Sequence, residues 1–265
     1  MRPFAPRLSL SLSLSLLLAF VAAPATARAA SPPAPGSPEF ARALLQRVDD
    51  IYRGEQSHGV MEMEVKTRHW TRSMSLESWS KGKEYSLVRI LEPKKDRGTA
   101  TLKDRHDLFT YLNNTGRTVK ISGAMMGGSW MGSHFTNDDL VHESRFSEDF
   151  DIKQLPDDKL DGVPVYRIEL TPKPNRPIVW GKIEVLVRIS DQQPLKDTYF
   201  DEDKKPVREL ALSDFKNIGG RNLPTVMTMR PLDGSGEYTK VTWKELSFDV
   251  KLDPSFFSVR NLTSR

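Results

Sequence analysis

Apolar residues recur at every second position through most of this sequence, in short runs broken by turn residues. Met61, Met63 and Val65 alternate with Glu62, Glu64 and Lys66, and Met74 and Leu76 alternate with Ser73, Ser75 and Glu77. A run over 85–91 stops at Pro93, and one over 108–112 stops at Asn113-Asn114-Thr115-Gly116, which leads into 118–121. Runs over 163–170, 178–189, 195–200, 207–215, 225–229 and 238–248 behave alike. About ten such runs, separated by turns, predict antiparallel strands joined by hairpins. No regular alternation of strands with long helices appears, which excludes a doubly wound parallel sheet.

Two segments break the pattern. In the first, Phe40, Leu44, Leu45, Val48 and Ile51 follow one another at spacings of four, one, three and three. That places them on one face of an amphipathic helix, with Pro38 in its first turn and Gly54 as its stop. In the second, residues 122–141 carry Met125, Met126, Trp130, Met131 and Phe135 among Gly127, Gly128 and Gly132. Thr136 or Asn137 can cap a short helix through Leu140 and Val141, with Asp138 and Asp139 in its first turn. The glycines allow the segment to move as a lid. The predicted fold is therefore mainly β: a single strongly curved antiparallel sheet, an incomplete barrel. An N-terminal amphipathic helix and a helical or loop lid close it.

The interior of such a sheet must be filled. Period two assigns Met61, Met63, Val65, Met74, Leu76, Leu87, Val185, Val187, Leu210, Leu212, Val226 and Trp243 to the inner face. Phe40 and Leu44 of the helix join them, as do Met125, Met126, Trp130, Met131 and Phe135 of the lid. Together these form a candidate apolar cavity, with the helix and the lid as a plug that cargo displaces. Methionine suits such a surface because it adapts to irregular apolar shapes. Glu62, Glu64 and Lys66 fall on the solvated face.

Charge narrows the partners. The chain of 265 residues has 39 Lys and Arg against 35 Asp and Glu, a net charge of +4. Arg2, Arg7 and Arg28 fall in the first 29 residues, which contain no acid; without them 36 basic groups face 35 acidic ones. The excess belongs mostly to the leader, so it is poor evidence for a nucleic-acid partner, and none is expected. There are no cysteines, which excludes disulfides, Cys-ligated zinc and a Cys nucleophile.

Residues 1–29 read as a secretory signal. Arg2 and Arg7 precede an apolar run from Leu8 to Val21, and Ala25-Thr26-Ala27 or Ala27-Arg28-Ala29 offers a small-residue cleavage site. The run is shorter than the roughly 20 residues of a membrane span. Residues 30–37 form a Pro-rich linker, and residues 38–265 the single domain. Export without cysteine suits the periplasm.

Motifs of catalysis are missing. There is no G-x-S-x-G, because Gly128-Ser129-Trp130-Met131-Gly132 does not keep that spacing, and there is no P-loop or dinucleotide fingerprint. His134, Asp138 and His142 lie four apart and would share a face on one continuous helix. They support an alternative reading as a metal-dependent or other envelope hydrolase. A non-transporting scaffold or sensor of the same shape is a third. The favoured reading assigns no catalytic residue, no metal and no cofactor, and a monomer.

Several segments together resemble the outer-membrane lipoprotein-sorting proteins, the LolA-like superfamily. They are residues 49–54 (DDIYRG), the pair over 61–79, residues 90–99 (ILEPKKDRGT), residues 129–140 (SWMGSHFTNDDL) and residues 223–229 (LPTVMTM). The resemblance runs from about Phe40 to the C-terminus. It implies an open antiparallel barrel that holds acyl chains in an apolar interior without chemistry. It also implies an acylated lipoprotein or lipid as cargo and a place in the periplasm; an inner-membrane transporter and an outer-membrane acceptor are candidate partners, with no docking residues carried over to this chain.

Overall fold

A computed structural model describes residues 33–51, 54–142, 145–176 and 178–263. The leader and residues 30–32 of the linker lie outside the described residues. The six strands of the first half are β1 (Gln56–Lys66), β2 (Thr71–Lys81), β3 (Tyr85–Glu92), β4 (Ala100–Asp104), β5 (Asp107–Leu112) and β6 (Arg117–Ile121). The second half supplies β7 (Phe150–Leu160), β8 (Val163–Pro172), β9 (Lys182–Arg188) and β10 (Pro194–Phe200). It ends with β11 (Pro206–Ile218), β12 (Arg221–Pro231) and β13 (Tyr238–Ser247). Each half is a meander, and β1 pairs antiparallel with β13 to join them. The result is one 13-stranded sheet, ordered β6-β5-β4-β3-β2-β1-β13-β12-β11-β10-β9-β8-β7. It is antiparallel throughout and not closed into a barrel, because β6 and β7 remain as edges.

That topology sets the course of the lid. The chain leaves one edge at Ile121 and re-enters the sheet at the other edge at Phe150, so residues 122–149 must connect the two. They do so through 3₁₀ turns at Gly123–Met125 and Trp130–Gly132 and helices α2 (Asn137–His142) and α3 (Phe146–Asp149). Met131 and Gly132 both take left-handed backbone there (φ 51° and 73°), which makes the second turn tight. The cap foreseen for α2 forms reciprocally. Asp139 N donates to Thr136 Oγ1 at 3.3 Å, and Thr136 N donates to Asp139 Oδ2 at 2.7 Å.

Helix α1 spans Pro38–Asp50, as its spacing predicts, with Ser37 Oγ accepting from Phe40 N at 3.1 Å as its cap. Its Phe40, Ala41, Leu44 and Leu45 bury against Tyr166, Ile168, Val185 and Val187 of the second half. The lid covers the first half: Trp130 packs on Met61, Met63, Val65, Met74, Leu76 and Ile90. Phe135 touches both clusters. A third cluster lies on the other face. There a 3₁₀ turn at Pro254–Phe256 and helix α4 (Val259–Leu262) cover Leu87, Ala100 and Leu102.

Two strands escaped the sequence reading. β4 is only five residues long. β7 is an edge strand with Pro156 at a register shift between Leu155 and Asp158, so most of its positions face solvent and carry polar residues. Among the described residues, no helix is long and apolar enough to cross a membrane.

Candidate functional site

The inner face, α1 and the lid enclose a cavity of about 170 Å³. Its apolar wall is built from the sheet by Met61, Val88, Leu210, Leu212, Met227 and Trp243, and from the lid by Trp130, Phe135 and Leu140. Val48 and Asp49, in the last turn of α1, close one side. The other end is polar. Ser57, Ser80 and Ser86 are cross-strand partners on β1, β2 and β3, so they form one row across the sheet. Ser57 Oγ lies 2.6 Å from Ser80 Oγ. Ser78, Asp139 and Asp197 complete the polar lining. The row continues beyond the cavity to Lys103, fully buried on β4, whose Nζ donates to Val141 O at 3.0 Å.

Arg208 holds the lid down. It projects inward from β11 beside Leu210, and its Nη1 donates to His134 O at 2.9 Å while Nη2 donates to Asp139 Oδ1 at 2.5 Å. The guanidinium also stacks 3.9 Å above the ring of Trp180 and 4.2 Å from that of Tyr199. A planar fork that bonds twice and stacks is what arginine offers and lysine does not. Burial pushes the neighbouring Asp138 carboxyl up to about 7, and the Asp139 charge adds to the rise. At the far side of α1, Lys83 Nζ lies 3.5 Å from the buried Asp49 carboxylate and 3.7 Å from that of Asp50.

The structure distributes the expected cavity residues unevenly. Met61, Trp130, Phe135 and Trp243 face the cavity, as do Leu210 and Leu212. Met63, Val65, Met74 and Leu76 are buried beneath the lid, and Phe40 and Leu44 of α1 are buried against Val185 and Val187 of the sheet. Met131 packs half-buried beside Trp130. Four residues are misplaced by the sequence reading. Leu87 lies on the outer face under the C-terminal segment, and its neighbours Ser86 and Val88 face the cavity instead. Both faces of β3 are covered, so its apolar run carries no period to choose between them. Val226 pairs with Ser213, whereas Met227 pairs with the inward Leu212, so Val226 faces outward by one step of register. Met125 is 42 % exposed, on the outside of its 3₁₀ turn. Met126 fills a separate cluster with Leu108, Ile121 and Val141 at the β5–β6 edge.

The three residues of the metal alternative do not share a helix. His134 precedes α2; its Nδ1 lies 2.8 Å from Thr239 Oγ1 and its Nε2 3.4 Å from Glu237 Oε2. Asp138 sits with Phe150, Trp180 and Tyr199. The side chain of His142 lies outside the described residues. Among the described residues, no three His, Asp or Glu gather as a metal site.

Several lining residues went unread in the sequence. Serine gives no hydrophobic signal, and the row of three appears only once the register of β1, β2 and β3 is known. Arg208 did carry a signal, being a cation at an inward position of a strand that the period predicts, whereas Lys103 lies on β4, which the period does not reveal.

An open antiparallel sheet plugged by a helix and a crossing lid is the LolA-like fold, and solved structures bear this out. A DUF1329 family protein from Desulfovibrio piger is 24 % identical, with 84 % of this chain and 97 % of that one aligned at a TM-score of 0.76. An outer membrane lipoprotein-sorting protein domain from Vibrio parahaemolyticus is 23 % identical, covering 86 % and 100 %, at 0.76. A LolA superfamily protein from Nitrosomonas europaea is 22 % identical, covering 83 % and 98 %, at 0.72. At these identities the likeness is one of fold. Residues 82–264 match the family described as "Uncharacterized protein", and the chain belongs to that family. No curated protein matches the chain.

Proposed function

We propose that this chain is an exported, non-catalytic carrier that holds the acyl part of a lipoprotein or another amphiphilic lipid. In this reading it shuttles its cargo through the periplasm toward the outer membrane, between an inner-membrane donor and an outer-membrane acceptor. The observation that carries the reading is the cavity of about 170 Å³ between the sheet and the lid, apolar along its walls and hydroxyl-lined at one end. An amphiphile has the same two ends.

The energetics favour a lid that moves. A cavity of about 150 Å³ lined by apolar side chains holds a benzene ring, so the closed form takes only a small part of an acyl chain. A chain of about twelve methylenes gains roughly 10 kcal/mol on burial. Lifting Trp130 and Phe135 off the sheet exposes their own surface and offsets much of that gain. Binding then becomes reversible, as a carrier requires.

Native mass spectrometry of the full chain tests the proposal. The expected result is a co-purifying acylated molecule, or uptake of an added fatty-acyl probe. Leu212→Trp should fill the cavity and abolish uptake while the chain stays folded. A chain that takes up no amphiphile, or a filled variant that binds like the parent, ends this reading.

A further inference from the structure

One end of the sheet presents apolar tips. Trp70, in the turn between β1 and β2, and Leu232, in the turn between β12 and β13, are each 44 % exposed. Singly, such side chains are ordinary; grouped at one end of a molecule they mark a candidate interaction surface. Trp70 is held on a formed turn: Thr67 N donates to Trp70 O at 2.9 Å, and Trp70 N donates to Thr67 Oγ1 at 3.2 Å. The two turns are neighbours, since Arg68 N donates to Glu237 Oε1 at 2.8 Å and the Arg68 guanidinium lies 3.7 Å from Asp233. A third turn, 93–99, is anchored beside them by Arg72 Nη2 donating to Asp96 Oδ2 at 2.8 Å.

The charges around these tips are unequal in their commitments. Asp233 and Asp96 are engaged by Arg68 and Arg72, and Glu237 by Arg68 and His134. Lys94 and Lys95 are exposed and make no ion pair among the described residues. The turn after β10 shares this end, since Leu232 N donates to Val207 O at 2.9 Å, and its Asp201, Glu202 and Asp203 are offset by Lys204 and Lys205 to within one charge.

We propose that this end of the molecule docks on an anionic phospholipid bilayer, with Trp70 and Leu232 entering at the headgroup level and Lys94 and Lys95 facing the lipid phosphates. Tryptophan favours that boundary because its ring is apolar and its N–H is polar. Free ammonium groups within a Debye length of an anionic leaflet are attracted to it. The docking turns also reach the lid. Glu237 accepts from Arg68 N through one carboxylate oxygen and lies 3.4 Å from His134 of the lid through the other. The proposal goes beyond the carrier reading and stands whatever the cavity holds.

Flotation of the full chain with vesicles tests it, using phosphatidylglycerol mixed into phosphatidylcholine against phosphatidylcholine alone. Every variant keeps the same leader, so differences report the turns. Trp70→Ser with Leu232→Ser, and separately Lys94→Glu with Lys95→Glu, should each weaken binding to the anionic vesicles roughly tenfold or more. The charge-reversed pair should differ little from the parent on neutral vesicles. Trp70→Phe should lower the quenching of tryptophan fluorescence by brominated acyl chains. No binding to the anionic vesicles, or binding that either pair leaves unchanged, overturns the proposal.

Discussion

The indole Nε1 of Trp130 donates to Thr101 Oγ1 at 3.0 Å, tying the lid to β4 on the inner face of the sheet. Trp130 is buried, so this bond lies within the core, away from water. The tie has two separable parts. Trp130→Phe keeps most of the ring burial and loses the donor, which should cost about 1 kcal/mol. Trp130→Ala also leaves a hole, which should cost about 3–5 kcal/mol. Denaturant midpoints measure both, and the amides of 123–142 should exchange faster in each variant. Equal costs for the two substitutions would show that the ring packs nothing of consequence.

Arg208 and Asp139 form the second tie. Removing the cation alone leaves a carboxylate buried without its partner. Arg208→Met should therefore destabilise the chain by about 3–5 kcal/mol. Adding Asp139→Asn, which keeps an oxygen to accept from Thr136 N, should recover much of that loss, because no charge is then left buried without its partner. Thermal unfolding of the two singles and the double closes the cycle. A double variant no better than Arg208→Met would mean that the contacts to Trp180 and His134 matter more than the charge pair.

Much of this architecture is legible in the sequence, and the failures have a common cause. The span of α1, the capped α2 and the strands over β1, β2, β5 and β6 follow from period and turn chemistry. Period two puts Leu87 and Val226 on the wrong face because side-chain period gives alternation and no absolute direction. Direction comes from what covers each face, and the C-terminal segment that covers Leu87 is more than 160 residues away in the chain. The serine row fails to show for a related reason: Ser57, Ser80 and Ser86 become neighbours only through pairing. The leader stays an expectation, since it lies outside the described residues.

The raised Asp138 carboxyl gives the chain a predictable response to pH. In the unfolded chain it titrates near 3.8, and in the folded chain at about 7. The folded state therefore holds this proton more tightly. Stability from this group is greatest below the lower value, falls as pH rises between the two, and is level above the higher. Asp138→Asn imitates the protonated form. It should raise Tm at pH 8, leave it nearly unchanged at pH 4, and flatten the profile between. Each kcal/mol would appear as about 2–4 °C. A variant that lowers Tm equally at both pH values would refute the assignment.

Gly59 supplies the last prediction. It is buried on β1, on the same face as Met61 and close to Trp243. A Cβ there would lie 2.4 Å from the backbone carbonyl oxygen of Glu245 and 2.8 Å from the ring of Trp243. The ring can tilt into the cavity, but the carbonyl is fixed by the β1–β13 pairing. Gly59→Ala should then cost about 1–3 kcal/mol through overpacking. Trp243→Leu, which removes the ring, should not rescue it. A double-mutant cycle read by denaturant unfolding distinguishes the two neighbours. An additive result identifies the carbonyl as the obstacle, and with it the close approach of β1 to β13 where the two halves of the sheet join. Rescue by Trp243→Leu would move the constraint to the cavity wall.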